Sequence, residues 1–107
     1  MVTLCIRYTI DPLKRSEFER YAQALLRVIP RCGGEMVGYY LPTKLAGPTN
    51  FGLALINFPN LAGYEKYREN LLSDREGADA LKRAEDSHCV LLEDRTFLEQ
   101  VRSSGVR

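Results

Sequence analysis

The stretch Phe51-Gly-Leu-Ala-Leu-Ile-Asn-Phe58 constrains this chain more than any other part of it. It carries no charge, and both alternating phases are apolar: Phe51, Leu53 and Leu55 on one, Ala54, Ile56 and Phe58 on the other. A strand needs that pattern only where both of its faces are buried. The fold must therefore cover this strand twice. Periodicity leaves open which phase meets which cover.

The flanking sequence supplies one cover. Val2 to Ile10 alternates Val2, Leu4, Ile6, Tyr8 and Ile10 against Thr3, Cys5, Arg7 and Thr9, the pattern of a strand with one apolar face. Asp11-Pro12 reads as a helix start: the carboxylate can accept from a free N–H, and proline has no donor to waste. Leu13 to about Arg31 has helical spacing, with Phe18, Tyr21, Leu25 and Val28/Ile29 on one stripe. Pro30 disturbs its last turn and Gly33-Gly34 offers the exit. A second strand follows over Glu35–Leu41, and then a Pro-, Gly- and Thr-rich loop, 42–50, long for a hairpin connection and expected either to be mobile or to help shape a pocket mouth. After the organising strand, Pro59-Asn60 opens a helix through Leu61, Tyr64, Tyr67/Arg68 and Leu71. Ser73 and Glu76 have capping-box spacing, predicting a shorter helix through Ala78, Leu81 and Ala84. His88 to Phe97 is the last strand, and residues 103–107 read as a flexible tail to a single domain spanning 1–102.

The order β-α-β-β-α-β is the ferredoxin-like α+β pattern. Right-handed crossovers place the helices on one face of a four-stranded antiparallel sheet. The other face also reads apolar, at least in the third and fourth strands. Leaving four or five Leu, Phe or Val side chains in water forgoes roughly 1.5–3 kcal/mol each. That is comparable with the net stability of a whole domain, about 5–15 kcal/mol. A second copy of the sheet, related by a two-fold axis, is the simplest cover, so a homodimeric α/β barrel is expected.

Composition narrows the function. A formal net charge of +1 gives no field for nucleic acid or an anionic membrane. No apolar run approaches the ~18 residues of a membrane span, and nothing resembles a signal peptide. The cysteines, Cys5, Cys32 and Cys89, are odd in number and lack CxxC spacing, which favours a reducing, cytoplasmic setting. Cys5 and Cys89 read as buried and Cys32 as the more accessible.

The residues that could carry chemistry are few. Pairing of the outer strands could bring Arg7 to Glu93, with Arg95 nearby, and an arginine in a pocket can hold a carboxylate or enolate oxygen. The plain alternative is a structural ion pair. Tyr8, Tyr39, Tyr40, Tyr64 and Tyr67 could offer hydroxyls to an organic ligand, or simply pack with their tips in water. His88 is the only histidine, a candidate base or an idle strand-edge residue. In a strand, His88 and Cys89 would point to opposite faces, so no metal site is expected. Neither a phosphate-binding glycine loop nor an RNA-binding aromatic strand is present, and no cofactor is expected.

Taken in order, Ile6-Arg-Tyr-Thr9, Gly34-Glu-Met-Val-Gly-Tyr-Tyr40, the Gly47-Pro-Thr-Asn50 turn, Tyr64-Glu-Lys-Tyr-Arg68 and Leu92-Glu-Asp-Arg95 resemble the NIPSNAP family of the dimeric α/β-barrel superfamily. The resemblance covers nearly the whole chain. It departs at Phe58, where the family often ends the strand with Trp, which this chain lacks altogether. It implies a dimer without a settled reaction. Its relatives are linked to trafficking and mitochondrial signalling, and the wider superfamily holds monooxygenases, isomerases and haem-degrading enzymes. Fold alone does not choose among these. Two readings follow. One is a non-catalytic module that binds a small molecule or a partner through Arg7, Tyr8, Tyr39, Tyr40, Tyr64, Glu93 and Arg95. The other is a cofactor-independent monooxygenase or isomerase for an acidic or enolisable molecule, with His88, Arg7 and Tyr40 as catalytic candidates. If those three side chains do not converge on one cavity, the second loses its mechanism.

Overall fold

A computed structural model describes residues 1–102. The strands β1 (Val2–Ile10), β2 (Glu35–Tyr40), β3 (Phe51–Phe58) and β4 (Val90–Leu98) form one antiparallel sheet in the order β2-β3-β1-β4. The helices are α1 (Arg15–Cys32), α2 (Leu61–Ser73) and α3 (Arg75–Ser87). This is the expected ferredoxin-like α+β arrangement, with the second helix of the pattern divided into α2 and α3. The expected tail, 103–107, lies outside the described residues.

The phase of the organising strand is now determined. Ala54, Ile56 and Phe58 pack toward the helices with at most 1% exposure, while Phe51, Leu53 and Leu55 line the opposite, open face. β1 pairs with β3 so that Leu4 lies opposite Ile56 and Ile6 opposite Ala54, extending the same inner layer. From above, α1 inserts Phe18, Leu25, Val28 and Ile29, all buried, which satisfies its amphipathic stripe.

Two strands carry a one-residue irregularity. In β2, Met36 pairs with Ile56 but Gly38 pairs with Leu55, leaving Val37 as the extra residue. In β4, Val90 pairs with Ile10 but Leu92 pairs with Thr9, leaving Leu91 extra. Each bulge reverses the alternation beyond it. Met36 and Tyr39 consequently share the inner face, as do Val90, Glu93, Arg95 and Phe97.

Helix ends follow local chemistry, with some departures from the expected boundaries. Asp11 accepts from the Leu13 N–H at 2.9 Å, but it caps a short 3₁₀ turn, Pro12–Lys14, ahead of α1. Pro30 is held inside the last turn of α1, and Gly33, at φ 114°, closes it with Gly34 N–H donating to the Ile29 carbonyl. Asp74, not Ser73, starts α3: its carboxylate accepts from Gly77 N–H at 2.9 Å, whereas the Ser73 hydroxyl donates back to the carbonyls of Glu69 and Asn70. Asp74 and Glu76 also receive Arg31, and Glu76 receives Arg27, which ties α3 to α1. Cys32 is buried beside Asp74 rather than reachable, because α2 and α3 close over the end of α1.

Candidate ligand cleft

The inner face of β4 departs from the rest of the sheet. Where β1 and β3 present aliphatic or aromatic groups, β4 presents Glu93 and Arg95, with side chains 32% and 41% exposed. Above them α3 offers Leu81, Ala84 and Glu85, and its buried residues, Gly77 and Ala80, are small. The Gly77 position lies against Val28 of α1 and Leu71 of α2, so α3 approaches the other helices closely and leaves space over β4.

That space is a cleft of about 310 Å³ with Glu93, Arg95 and Tyr8 below, Leu81 and Ala84 above, and His88 at one end. It adjoins an inner chamber of about 100 Å³ walled mainly by apolar side chains, Leu4, Ile6, Leu25 and Ile56 among them. Tyr8, Tyr21, Leu81 and Arg95 line both spaces.

The polar groups are organised. Arg95 donates from Nη2 to Glu93 Oε2 and from Nη1 to the Tyr64 hydroxyl, each at 3.3 Å. Arg68 donates from Nη1 to the same Tyr64 oxygen at 3.0 Å. Deeper in, the hydroxyls of Tyr8 and Tyr39 lie 3.1 Å apart, and the rings of Tyr8, Tyr21 and Tyr39 pack with centroids 6.1–6.4 Å from one another. Burial, and then the neighbouring Tyr39, push the Tyr8 phenol well above the ordinary range. Tyr39 is raised by burial and then by Tyr21, and Tyr21 by burial and then by Glu93. These hydroxyls keep their protons at neutral pH, and one of the Tyr8–Tyr39 pair donates to the other.

The expected site residues separate into two groups. Tyr8, Tyr39, Tyr64, Glu93 and Arg95 come together between sheet and helices. Arg7 and Tyr40 do not: both are on the open face, where Arg7 lies opposite Asp94 and Tyr40 opposite Leu53. The expected meeting of Arg7 with Glu93 is thus corrected, since Glu93 lies opposite Tyr8. His88 is also corrected. It is the residue that terminates α3, at φ 56°, and β4 begins only at Val90, so His88 and Cys89 are not strand neighbours. Because Arg7, Tyr40 and His88 do not converge, the mechanism that joined them is lost. Loop 42–50 lines neither cavity, so its expected role at a pocket mouth is not met.

Tyr21 and Arg68 were not anticipated as site residues. Tyr21 reads as an ordinary member of the α1 stripe, and only the proximity of Tyr8 and Tyr39 marks it out. Arg68 lies one helical turn after Tyr64, a spacing that places both on one face and could have signalled the pair. Among the described residues no group of His, Cys, Asp and Glu could hold a metal ion, and no helix is long and apolar enough to cross a membrane.

A ferredoxin-like α+β sandwich with a cleft between sheet and helices is the class this geometry defines. Within that class, the NIPSNAP family model matches residues 3–104, and the chain belongs to the NIPSNAP family. Among solved structures it is similar to a NIPSNAP family protein of unknown function from Agrobacterium tumefaciens, with 18% identity over 100% of this chain and 94% of that one, at a TM-score of 0.81. An uncharacterised NIPSNAP domain protein from Burkholderia xenovorans matches with 18% identity over 100% and 99% of the two chains, at a TM-score of 0.77. More distant is a candidate antibiotic biosynthesis monooxygenase from Nitrosomonas europaea, with 7% identity over 95% and 100%, at a TM-score of 0.72. At these identities the likeness shows the fold alone. No curated protein matches the sequence.

Proposed function

We propose that this NIPSNAP protein is a single-domain, non-catalytic module that binds a small organic molecule in the cleft between β4 and the helices. One observation carries the reading: a charged pair, Glu93 and Arg95, occupies inner-face positions that are apolar on β1 and β3, directly beneath an open space. Charged groups are placed at inner positions of a sheet at a cost, and they repay it where something is recognised. Thermal-shift screening of small organic compounds tests it. Stabilisation grows with ligand excess over the dissociation constant. Hits should vanish in Leu81→Trp, which fills the cleft, and persist in Lys82→Ala on the exposed side of α3. Hits that survive Leu81→Trp would place binding elsewhere and end this reading.

A second reading, catalysis of proton transfer on an enolisable molecule, draws on His88, which lines the same cleft as Glu93 and Arg95. It draws as well on the monooxygenase-like neighbour. Its test is exchange of an α-proton of a bound carbonyl compound, which His88→Ala must slow.

The open face supports a homodimer. Phe51, Leu53 and Leu55 lie there beside the half-exposed Val37 and Tyr40, and Leu92 is 57% exposed. Sedimentation at micromolar concentration should report twice the 12.2 kDa chain, and Leu55→Asp should return a monomer. A compact monomer in the wild type would remove the proposal. A cytoplasmic setting is in keeping with the unpaired state of Cys5, Cys32 and Cys89.

A further inference from the structure

We propose that the mouth of the inner chamber is a carboxylate site, and that its ligand is a small monocarboxylic acid with a short apolar tail. This rests on the binding reading above and names the chemistry of that cleft.

The inference starts from Tyr64. Its one hydroxyl oxygen accepts from two guanidiniums, Arg68 Nη1 at 3.0 Å and Arg95 Nη1 at 3.3 Å. Two like charges held against a neutral phenol repel each other unless an anion lies nearby. Glu93 supplies one, to Arg95. Arg68 forms no ion pair among the described residues, and its guanidinium is 6.0 Å from the Tyr64 ring centroid, steered there by the phenol and not by an acid. The cluster therefore holds two cations and one anion. A guanidinium has five donors, of which Arg68 uses one and Arg95 two in these side-chain bonds. The remaining N–H groups suit the paired oxygens of a second carboxylate, the acceptor that matches a planar fork. A dianion is a poorer match, because Glu93 already neutralises one of the two arginines.

The space behind the cluster sets the rest of the ligand. Arg68 and Arg95 both line the inner chamber, whose walls combine Leu4, Ile6, Leu25 and Ile56 with Tyr8, Tyr21, Tyr39 and Tyr67. At about 100 Å³ it has room for roughly three or four water-sized groups. An acid of four or five carbons would place its head between the arginines and its tail against Leu4, Ile6 and Ile56. Longer chains would have to pass Leu81 into the outer cleft.

Isothermal titration of the full chain with straight-chain acids from acetate to hexanoate, and with butyramide and pentanamide as neutral matches, tests this. Affinity should rise about fourfold per added carbon up to butanoate or pentanoate and then level. Each amide should bind about tenfold or more weakly than its acid. Arg68→Gln, a change on an exposed side chain, should weaken the acids about tenfold and the amides several-fold less, and leave the melting temperature within about a degree. Equal binding of acid and amide, or acid binding indifferent to Arg68→Gln, overturns the carboxylate site. If neither acids nor amides bind but other compounds do so in a Leu81-dependent way, this proposal fails and the cleft reading stands. If nothing binds in a Leu81-dependent way, both fail.

Discussion

The inner side of the sheet differs between its two halves. Over β1 and β3 the side chains are sealed, with Leu4, Ile56 and Phe58 each 1% exposed. Over β4, on the same side of the same sheet, Phe97 remains 43% exposed beside Glu93 and Arg95. The difference lies in what each helix is fastened to. α1 sends large apolar groups down onto the sheet. α3 is fastened sideways, through Gly77 against α1 and α2 and through Asp74 and Glu76 to Arg27 and Arg31. A helix held by its neighbours need not fill the space beneath it, and a cavity can persist there without unfolding the domain.

The contrast can be broken most directly with aromatic truncations. Phe18→Ala, in the sealed half, should cost about 3–5 kcal/mol in denaturant unfolding. Phe97→Ala, in the open half, should cost about 1 kcal/mol or less. Similar losses would show the two halves to be equally packed. Next in size, Asp74→Ala should lower the melting temperature by several degrees, because it removes both the cap of α3 and an acceptor of Arg31. The same junction predicts a pH dependence. Asp74 is held well below its usual range by Arg31 and then by the Gly77 N–H, and Glu76 is held below its own by Arg31 and then Arg27. Groups depressed in the folded state stabilise it fully above their unfolded values, about pH 4, and lose that contribution as pH falls through the folded ones. The acid-side slope of melting temperature should therefore be shallower in Asp74→Asn with Glu76→Gln than in the wild type.

Smaller effects sharpen the comparison. α1 ends on Gly33 in the left-handed region, while α3 ends on His88 in the same region. Glycine adopts it freely and histidine does not. His88→Gly should stabilise the protein by about 1 kcal/mol in denaturant titration. A loss instead would mean that the imidazole makes contacts worth more than the strain. Smallest of all, Glu93→Leu with Arg95→Leu should leave stability within about 1 kcal/mol of the wild type, since a half-exposed ion pair contributes little. The same variant should abolish the thermal response to ligands.

The element order, the α1 stripe and the two apolar phases of β3 were legible because they rest on periodicity, which survives any choice of partner. The site was legible only in part. Tyr8, Tyr39, Tyr64, Glu93 and Arg95 could be named as residue types, but their common location depends on the irregularities at Val37 and Leu91, and nothing in Val90-Leu-Leu92 says which leucine drops out of register. Arg7 keeps the face that the alternation of β1 gives it; the shift at Leu91 brings Glu93 opposite Tyr8 and so carries Glu93 away from Arg7. His88 reads as strand in the sequence because the apolar run Cys89-Val-Leu-Leu92 follows it directly. A residue that ends a helix in the left-handed region announces itself by conformation, and histidine is not the residue one looks for there.

The irregularity at Leu91 has a consequence for how such a chain can change over generations. Taking that residue into the ladder, so that Leu91 paired with Thr9, would turn the outer strand over, withdrawing Glu93, Arg95 and Phe97 and presenting Leu92, Asp94, Thr96 and Leu98 to the helices, while the pairing of β1 with β3 stayed as it is. A single in-frame codon gained just beyond Leu91 would have the same effect and could thus exchange the chemistry of the binding floor in one step, with no point substitution in the core. Descendants of one scaffold could part company in what they recognise while remaining alike in shape.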